Sequence, residues 1–92
     1  MIVRILTEGQ YEIDSDYLDQ LNAIDNDVVS AIADGDRARF ATLFQNLLSV
    51  VREHGTPLPN EDLRESDVIL PPSDTTFEEA AELFVGQGAI PD

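Results

Sequence analysis

The sequence lacks cysteine, lysine and tryptophan, and the lack of cysteine and of lysine excludes several classes of function. Without cysteine the chain forms no disulfide and offers no thiolate as a nucleophile or metal ligand. No apolar run approaches the roughly 18 residues of a transmembrane helix. Positive charge is limited to five scattered arginines, whereas binding to phosphates or anionic lipids needs clustered basic residues. We therefore expect no nucleic-acid partner and only indirect contact with membranes.

Acidic residues, in contrast, are abundant. Nineteen Asp and Glu residues give the 92-residue chain a net charge of -14. Such a charge makes the compact state repel itself in dilute buffer. Molar salt shortens the Debye length to about 3 Å and removes most of that repulsion. The composition therefore predicts a protein of a halophilic, salt-accumulating archaeon. Because the opening MIVRIL is followed at once by charged residues, it does not resemble a signal peptide, and we expect a cytoplasmic protein.

Length and patterning predict a single domain over residues 1–92 that begins with a β-hairpin. Residues 2–6 are rich in β-branched side chains, residues 7–9 form a turn, and residues 10–13 return. A two-residue loop would mix apolar and charged side chains on both faces of the hairpin. A three-residue loop with Gly9 in a left-handed conformation places Ile5 opposite Tyr11 and Arg4 opposite Glu12, which gives one apolar face. We predict the three-residue loop.

Two helices and a tight connection between them follow the hairpin. Apolar residues recur at three- and four-residue spacing from Tyr17 onwards and again from Phe40 onwards. Asp14 or Ser15 is positioned to cap the first helix and Asp36 the second. Gly35 is positioned to end the first helix in the left-handed conformation. Because the connection is so short, we predict an antiparallel helical hairpin, with Gly55 ending the second helix.

The rest of the chain predicts an extended segment, a strand and a last helix. Pro57 and Pro59 exclude a regular helix, and residues 67–70 form a short apolar run stopped by two prolines. Thr75 or Thr76, with Glu78 or Glu79 three residues later, predicts a capping box, and the glycines after residue 85 predict the end of that helix. The order β-β-α-α-β-α predicts an α+β fold, with the hairpin and the third strand packed against the helices.

Candidate catalytic and metal-binding residues have simpler explanations. Three Asp-x-Asp pairs occur, but none has the spacing of a calcium-binding loop, and two of them contain predicted helix caps. His54 has no serine motif or orienting partner in its neighbourhood, so we interpret it as a helix-terminal residue. We interpret Arg37 and Arg39 as solvated side chains in the first turn of the second helix. The alternative is an electrostatic contact with an acidic partner or with neighbouring acids of the chain. We predict no enzyme, no metal and no cofactor. The three pairs are Asp14 with Asp16, Asp25 with Asp27, and Asp34 with Asp36.

Three stretches of the chain resemble a known family in their order and spacing. These are the opening MIVRILTEGQYEI, the later GTPLPNEDLRESDVILPPSD and the terminal GAIPD. They are similar to the PspA-associated domain family (PspAA), and the resemblance extends over residues 1–92, with the helical hairpin matching in pattern more than in identity. The resemblance implies a non-enzymatic accessory of an envelope-stress system that binds phage-shock protein A, a long coiled-coil protein.

The partner surface predicted for such a protein is apolar, because charge attraction is weak in molar salt. It includes the exposed face of the hairpin, either Ile2 with Leu6 or Val3 with Ile5. The segment around Leu58 is either part of this surface or a connection packed on its own core. Two other classes stay open, a ligand-sensing regulatory domain and a homodimer that extends its sheet across a two-fold axis. The four residues predicted for the partner surface are Leu58, Leu63, Val68 and Leu70.

Overall fold

The computed structural model describes residues 1–59, 61 and 64–83, and the predicted α+β fold is confirmed. A short 3-10 helix at Ser15–Tyr17 leads into the first α-helix. The described strands form a mixed sheet in the order β3-β2-β1-β4. The predicted end of the last helix, at Gly86 and Gly88, lies outside the described residues. The elements are β1 (Ile2–Ile5), β2 (Gly9–Glu12), α1 (Leu18–Ala33), α2 (Arg37–His54), β3 (Thr56–Pro57), β4 (Val68–Leu70) and α3 (Phe77–Leu83).

The hairpin has the predicted loop length, but the loop begins one residue earlier than predicted. Ile5 lies opposite Gly9 and Arg4 opposite Gln10, so the three loop residues are 6–8. The Glu8 amide donates to the Ile5 carbonyl at 3.0 Å, and Thr7 supplies the left-handed conformation with φ 72°. The predicted pairing of Ile5 with Tyr11 is therefore wrong. Because the register differs by two residues, each side chain still lies on its predicted face.

The helical hairpin forms as predicted, and local hydrogen bonds explain both of its inner ends. At the end of α1, the Asp36 amide donates to Ala31 and the Gly35 amide donates to Ile32, with Gly35 at φ 68°. This is the Schellman arrangement. The Asp36 side chain then accepts from the Arg39 amide at 3.1 Å and caps α2. The connection is therefore determined within about six residues.

Gly55 ends α2 as predicted, but close packing rather than a left-handed backbone explains the glycine. Its φ is -87°, which any residue adopts. A Cβ atom at this position would lie 2.5 Å from the Val51 carbonyl oxygen and 3.0 Å from Cβ of Tyr11. The glycine therefore allows the end of α2 to approach strand β2.

The core lies between one face of the sheet and the helices. Val3 and Ile5 of β1 are buried against Leu21 and Val28 of α1 and a row of α2 residues. Ala80 brings α3 into the same core, and Phe77 packs edge-on against Phe40 with ring centroids 5.7 Å apart. The buried side chains of α2 are Phe40, Phe44, Leu47, Leu48, Val50 and Val51.

The chain crosses from one edge of the sheet to the other after α2. Residues 56–57 pair with β2 as the edge strand β3, which the sequence pattern did not predict. Residues 64–67, which we call the crossing segment, lie against Gln10 of β2 and lead into β4, which pairs in parallel with β1. A capping box begins α3 as predicted, because the Thr76 amide donates to Glu79 at 3.0 Å and the Glu79 amide donates to Thr76 at 3.2 Å.

Candidate protein-interaction surface

Two of the four residues predicted for the partner surface are in the core. Val68 is 4% exposed and Leu70 is 0% exposed, so their prediction as accessible residues is wrong. Parallel pairing aligns them with Val3 and Ile5, on the sheet face that the helices cover. Leu58 is half-buried, which leaves part of its side chain accessible. Leu63 lies outside the described residues.

The exposed residue of β4 is Ile69, which lies between the buried Val68 and Leu70. Ile69 is 55% exposed and lies directly opposite Arg4 of β1, on the sheet face that points away from the helices. Leu6, the residue after β1, is 41% exposed, and its amide donates to the Leu70 carbonyl at 3.0 Å. These two are the large apolar residues that the described chain exposes most. We call Arg4, Leu6 and Ile69 the open half of the outer sheet face.

The other half of the outer face is covered by the crossing segment. The side-chain Nε2 of Gln10 donates to the Arg64 carbonyl at 3.0 Å and to the Ser66 hydroxyl at 2.7 Å. Gln10 is 8% exposed as a result. The carboxylate of Asp67 accepts from the Ile2 amide at 2.7 Å, which holds the end of the segment beside β1. The segment therefore covers the β2 side of this face and leaves the β4 side open.

The arginines differ in their electrostatic partners. Arg37 contacts Glu78 at 2.5 Å, Arg39 contacts Asp34 at 3.6 Å, and Arg64 contacts Glu12 at 2.8 Å. Arg52 forms an ion pair with Glu8. Arg37 and Arg39 therefore contact acids of the chain, which was the alternative to their interpretation as solvated side chains. Within residues 1–59, 61 and 64–83, Arg4 is the arginine for which the structure shows no ion pair.

Two of these contacts shift a pKa. The hydrogen bond from Arg52 holds the pKa of the Glu8 carboxyl below its ordinary value, against a smaller opposing effect of burial. The same hydrogen bond raises the pKa of Arg52. The pKa of Glu78 is lowered first by its own backbone amide, at the start of α3, and then by Arg37. These shifts favour the charged states that hold the turn and α3 against α2.

His54 lies away from this surface, at the end of α2. Its ring stacks on Tyr17, with centroids 4.5 Å apart and planes inclined by 20°. This contact agrees with the helix-terminal interpretation of His54. An open depression of about 480 Å³ lies beside it and is lined by Met1, Glu12, Ile13, Asp14, Ser15, His54 and Thr56.

The aspartates of the Asp-x-Asp pairs have different structural roles and different exposure. Asp14 caps the 3-10 helix by accepting from the Asp16 amide at 2.9 Å. Asp25 is buried at 1% exposure, whereas Asp27 is exposed. Within the described ranges, no three His, Asp or Glu side chains lie close enough together to hold a metal ion.

The sequence contained part of the signal for the open half of the outer face. Alternation along residues 68–70 predicts that Ile69 points opposite to its neighbours, but it does not predict which face the helices cover. Arg4 carries no local signal, because its lack of an ion pair depends on how the distant acids are placed. In the part of the chain that the structure describes, no helix is both long and apolar enough to cross a membrane.

Comparison with known proteins identifies a family. No curated protein matches the chain, and no solved structure does. The family described as PspA-Associated protein matches residues 1–92, which is the whole chain. This match agrees with the resemblance of the three sequence stretches. The chain therefore belongs to the PspA-associated protein family.

Proposed function

We propose that this protein is a non-enzymatic accessory of the phage-shock system that binds a coiled-coil protein of the PspA type and regulates it during envelope stress. The observation that carries the proposal is the family match over residues 1–92. The protein acts in the cytoplasm and contacts the membrane only through its partner. The acidic composition, with a net charge of -14, supports indirect contact, because anionic lipid repels such a chain.

The distribution of apolar side chains supports a role in binding a protein. Ile69 and Leu6 expose apolar surface on one face of the sheet, whereas the side chains of the opposite face pack in the core. Burying such side chains against a partner is favourable by about 25 cal/mol per Å² of apolar surface. This contribution persists in concentrated salt, where attraction between charges is screened. A protein of a salt-accumulating archaeon therefore has reason to use an apolar contact.

Co-purification tests this function. The tagged chain and the phage-shock protein A homologue encoded in the same genome are produced together and purified in molar KCl. We expect one complex that elutes as a single species in size-exclusion chromatography with light scattering. The control is an unrelated coiled-coil protein of similar length and charge. If the homologue never co-purifies, while the chain is folded by circular dichroism, the proposed function is wrong.

A homodimer is the second candidate, and strand β4 favours it. This strand is one of the two edges of the described sheet. Its exposed Ile69 gives a second copy an apolar face to pack against, whereas the short strand and the prolines after it limit strand pairing. The excess of negative charge opposes this dimer at low salt. Light scattering of the purified chain at several concentrations in molar KCl distinguishes a dimer of about twice the 10.1 kDa chain mass from a monomer.

A further inference from the structure

We propose that the open half of the outer sheet face, formed by Arg4, Leu6 and Ile69, is the docking site for an amphipathic helix of the protein partner. Apolar side chains of that helix pack on Ile69 and Leu6, and a carboxylate of the same helix pairs with Arg4. The inference rests on the proposed function, because it names the surface through which the accessory binds its partner.

The shape of the sheet favours docking on its face rather than strand addition at its edge. Strand β4 is only three residues long and is followed directly by Pro71 and Pro72. Short edge strands and nearby prolines limit the pairing of another strand. The face beside this edge is accessible, since the crossing segment covers Gln10 and Ile2 but leaves Ile69 55% exposed. A partner therefore gains more contact on the face than along the edge.

Charge complementarity indicates which polar group the partner helix carries beside its apolar side chains. The described chain pairs Arg37, Arg39, Arg52 and Arg64 with its own acids. Arg4 is exposed and has no ion pair with any acid that the structure describes, although acids outnumber arginines 19 to 5 in the sequence. A carboxylate of the partner, placed beside an apolar contact that excludes water, is the group that complements Arg4.

The spacing of the surface matches the spacing of a helix. Arg4 and Ile69 are paired across neighbouring strands, and such side chains have Cβ atoms about 5 Å apart. Residues three or four apart on a helix have Cβ atoms about 5–6 Å apart. An apolar residue and an Asp or Glu at this separation on one helix therefore reach Ile69 and Arg4 together. Coiled-coil helices carry many such pairs along the border of their apolar stripe.

The test measures binding of full-length variants to the full-length phage-shock protein A homologue of the same genome by isothermal titration calorimetry. Ile69→Glu is expected to weaken binding about tenfold or more, as for a central apolar contact. Ile69→Thr keeps a β-branched side chain, which suits a strand, and is expected to weaken binding less than Ile69→Glu. It replaces Ile69→Glu in the test if that variant does not fold. Ala41→Glu adds the same charge at an exposed position of α2 and is expected to bind like the parent protein.

The arginine is tested separately. Arg4→Gln is expected to weaken binding at moderate salt, whereas Arg39→Gln, which removes the same charge from an exposed site, is not. For Arg4→Glu, one Asp→Arg or Glu→Arg substitution along the apolar stripe of the partner helix is expected to restore binding. Such a rescue supports direct contact, because a general change of net charge would not depend on position.

The outcomes separate the two proposals. If the parent protein binds and all variants of Arg4 and Ile69 bind equally well, the docking site is wrong while the proposed function stands. If the parent protein does not bind the homologue, the proposed function fails and the docking site fails with it. If the chain dimerises and Ile69→Glu produces a monomer with unchanged affinity for the homologue, the surface joins two copies and the docking proposal is overturned.

Discussion

Glu8 in the hairpin turn and Arg52 in the last turn of α2 form an ion pair with two points of contact. Nε of Arg52 lies 3.0 Å from one carboxylate oxygen of Glu8, and Nη2 contacts the other. The two residues are 44 positions apart in the sequence. The pair therefore holds the turn of the sheet against a helix end with a geometry that a forked guanidinium provides and a lysine does not.

Glu8→Gln is expected to lower the free energy of unfolding by about 0.5–1 kcal/mol at pH 7, since both side chains are partly exposed and solvent screens the pair. The pKa of Glu8 in the folded protein lies below its ordinary value of 4.5. The unfolded chain therefore takes up the proton first, and the contribution present above pH 4.5 is lost as the pH falls through the folded pKa. Urea titrations at several pH values measure this loss.

The control for this prediction is a double-mutant cycle. Arg52→Gln alone is expected to have an effect of similar size, and the double variant less than the sum of the two. The difference between the parent protein and Glu8→Gln is expected to shrink as the pH falls below 4.5, because a protonated Glu resembles Gln. A difference that stays constant down to the acid transition would show that the ion pair contributes nothing.

Gln10→Ala is expected to destabilise the protein by about 1–3 kcal/mol. The substitution leaves the Arg64 carbonyl and the Ser66 hydroxyl without the donor that now binds both at a buried site. The matched control is Gln45→Ala, because Gln45 donates a single hydrogen bond, to the Ser73 carbonyl at 3.0 Å, from an exposed position. Urea denaturation of both variants measures the cost. Equal costs would contradict the role of Gln10 in holding the crossing segment.

Thr7→Gly is expected to stabilise the protein by about 0.5–1 kcal/mol. Thr7 has φ 72°, a conformation that costs a side-chain-bearing residue about 1–2 kcal/mol and that glycine adopts freely. Part of the gain is lost because glycine makes the unfolded chain more flexible. Thr42→Gly, at an exposed position inside α2, is the control and is expected to destabilise. Thermal unfolding of the two variants gives opposite signs if the turn is strained.

The melting temperature is expected to rise with KCl concentration, most steeply between 0.01 and about 0.5 M, where the Debye length falls from about 30 Å to a few Å. The physical reason is screening of repulsion within a chain of net charge -14. The matched variant replaces Asp19, Asp27 and Glu53, which are exposed, with their amides. It is expected to melt higher than the parent protein at low salt and to respond less to KCl. An equal response of both proteins would contradict the mechanism.

Local chemistry made much of the fold predictable from the sequence. The Asp36 cap, the left-handed Gly35 and the capping box at Thr76 are decided by hydrogen bonds over a few residues, and each was predicted. The positions of the helices were predictable from the three- and four-residue spacing of apolar side chains, which is also a pattern between near neighbours. Family membership was also recognisable from the order of three short stretches.

The candidate surface was predictable only in part, because it depends on how distant segments pair. The sequence indicated that residues 68–70 form a strand with alternating faces, yet Val68 and Leu70 were predicted at the surface and lie in the core. Their parallel pairing with Val3 and Ile5 reverses that assignment. The one-residue shift of the hairpin loop has a similar origin, since Thr7 adopts a conformation that its residue type disfavours.

The sequence by itself determined the caps of α2 and α3, the positions of the helices, the excess of negative charge and the family, because each depends on composition or on contacts between near neighbours. The cap predicted for the first helix is wrong for α1, since Asp14 caps the short 3-10 helix before it. Only the tertiary structure decided which side of β4 faces solvent and which acids form ion pairs with four of the arginines. It also decided that Gln10 holds the crossing segment. These features depend on burial and on contacts between residues tens of positions apart. Such contacts exist only once the helices have covered one face of the sheet and left the other open.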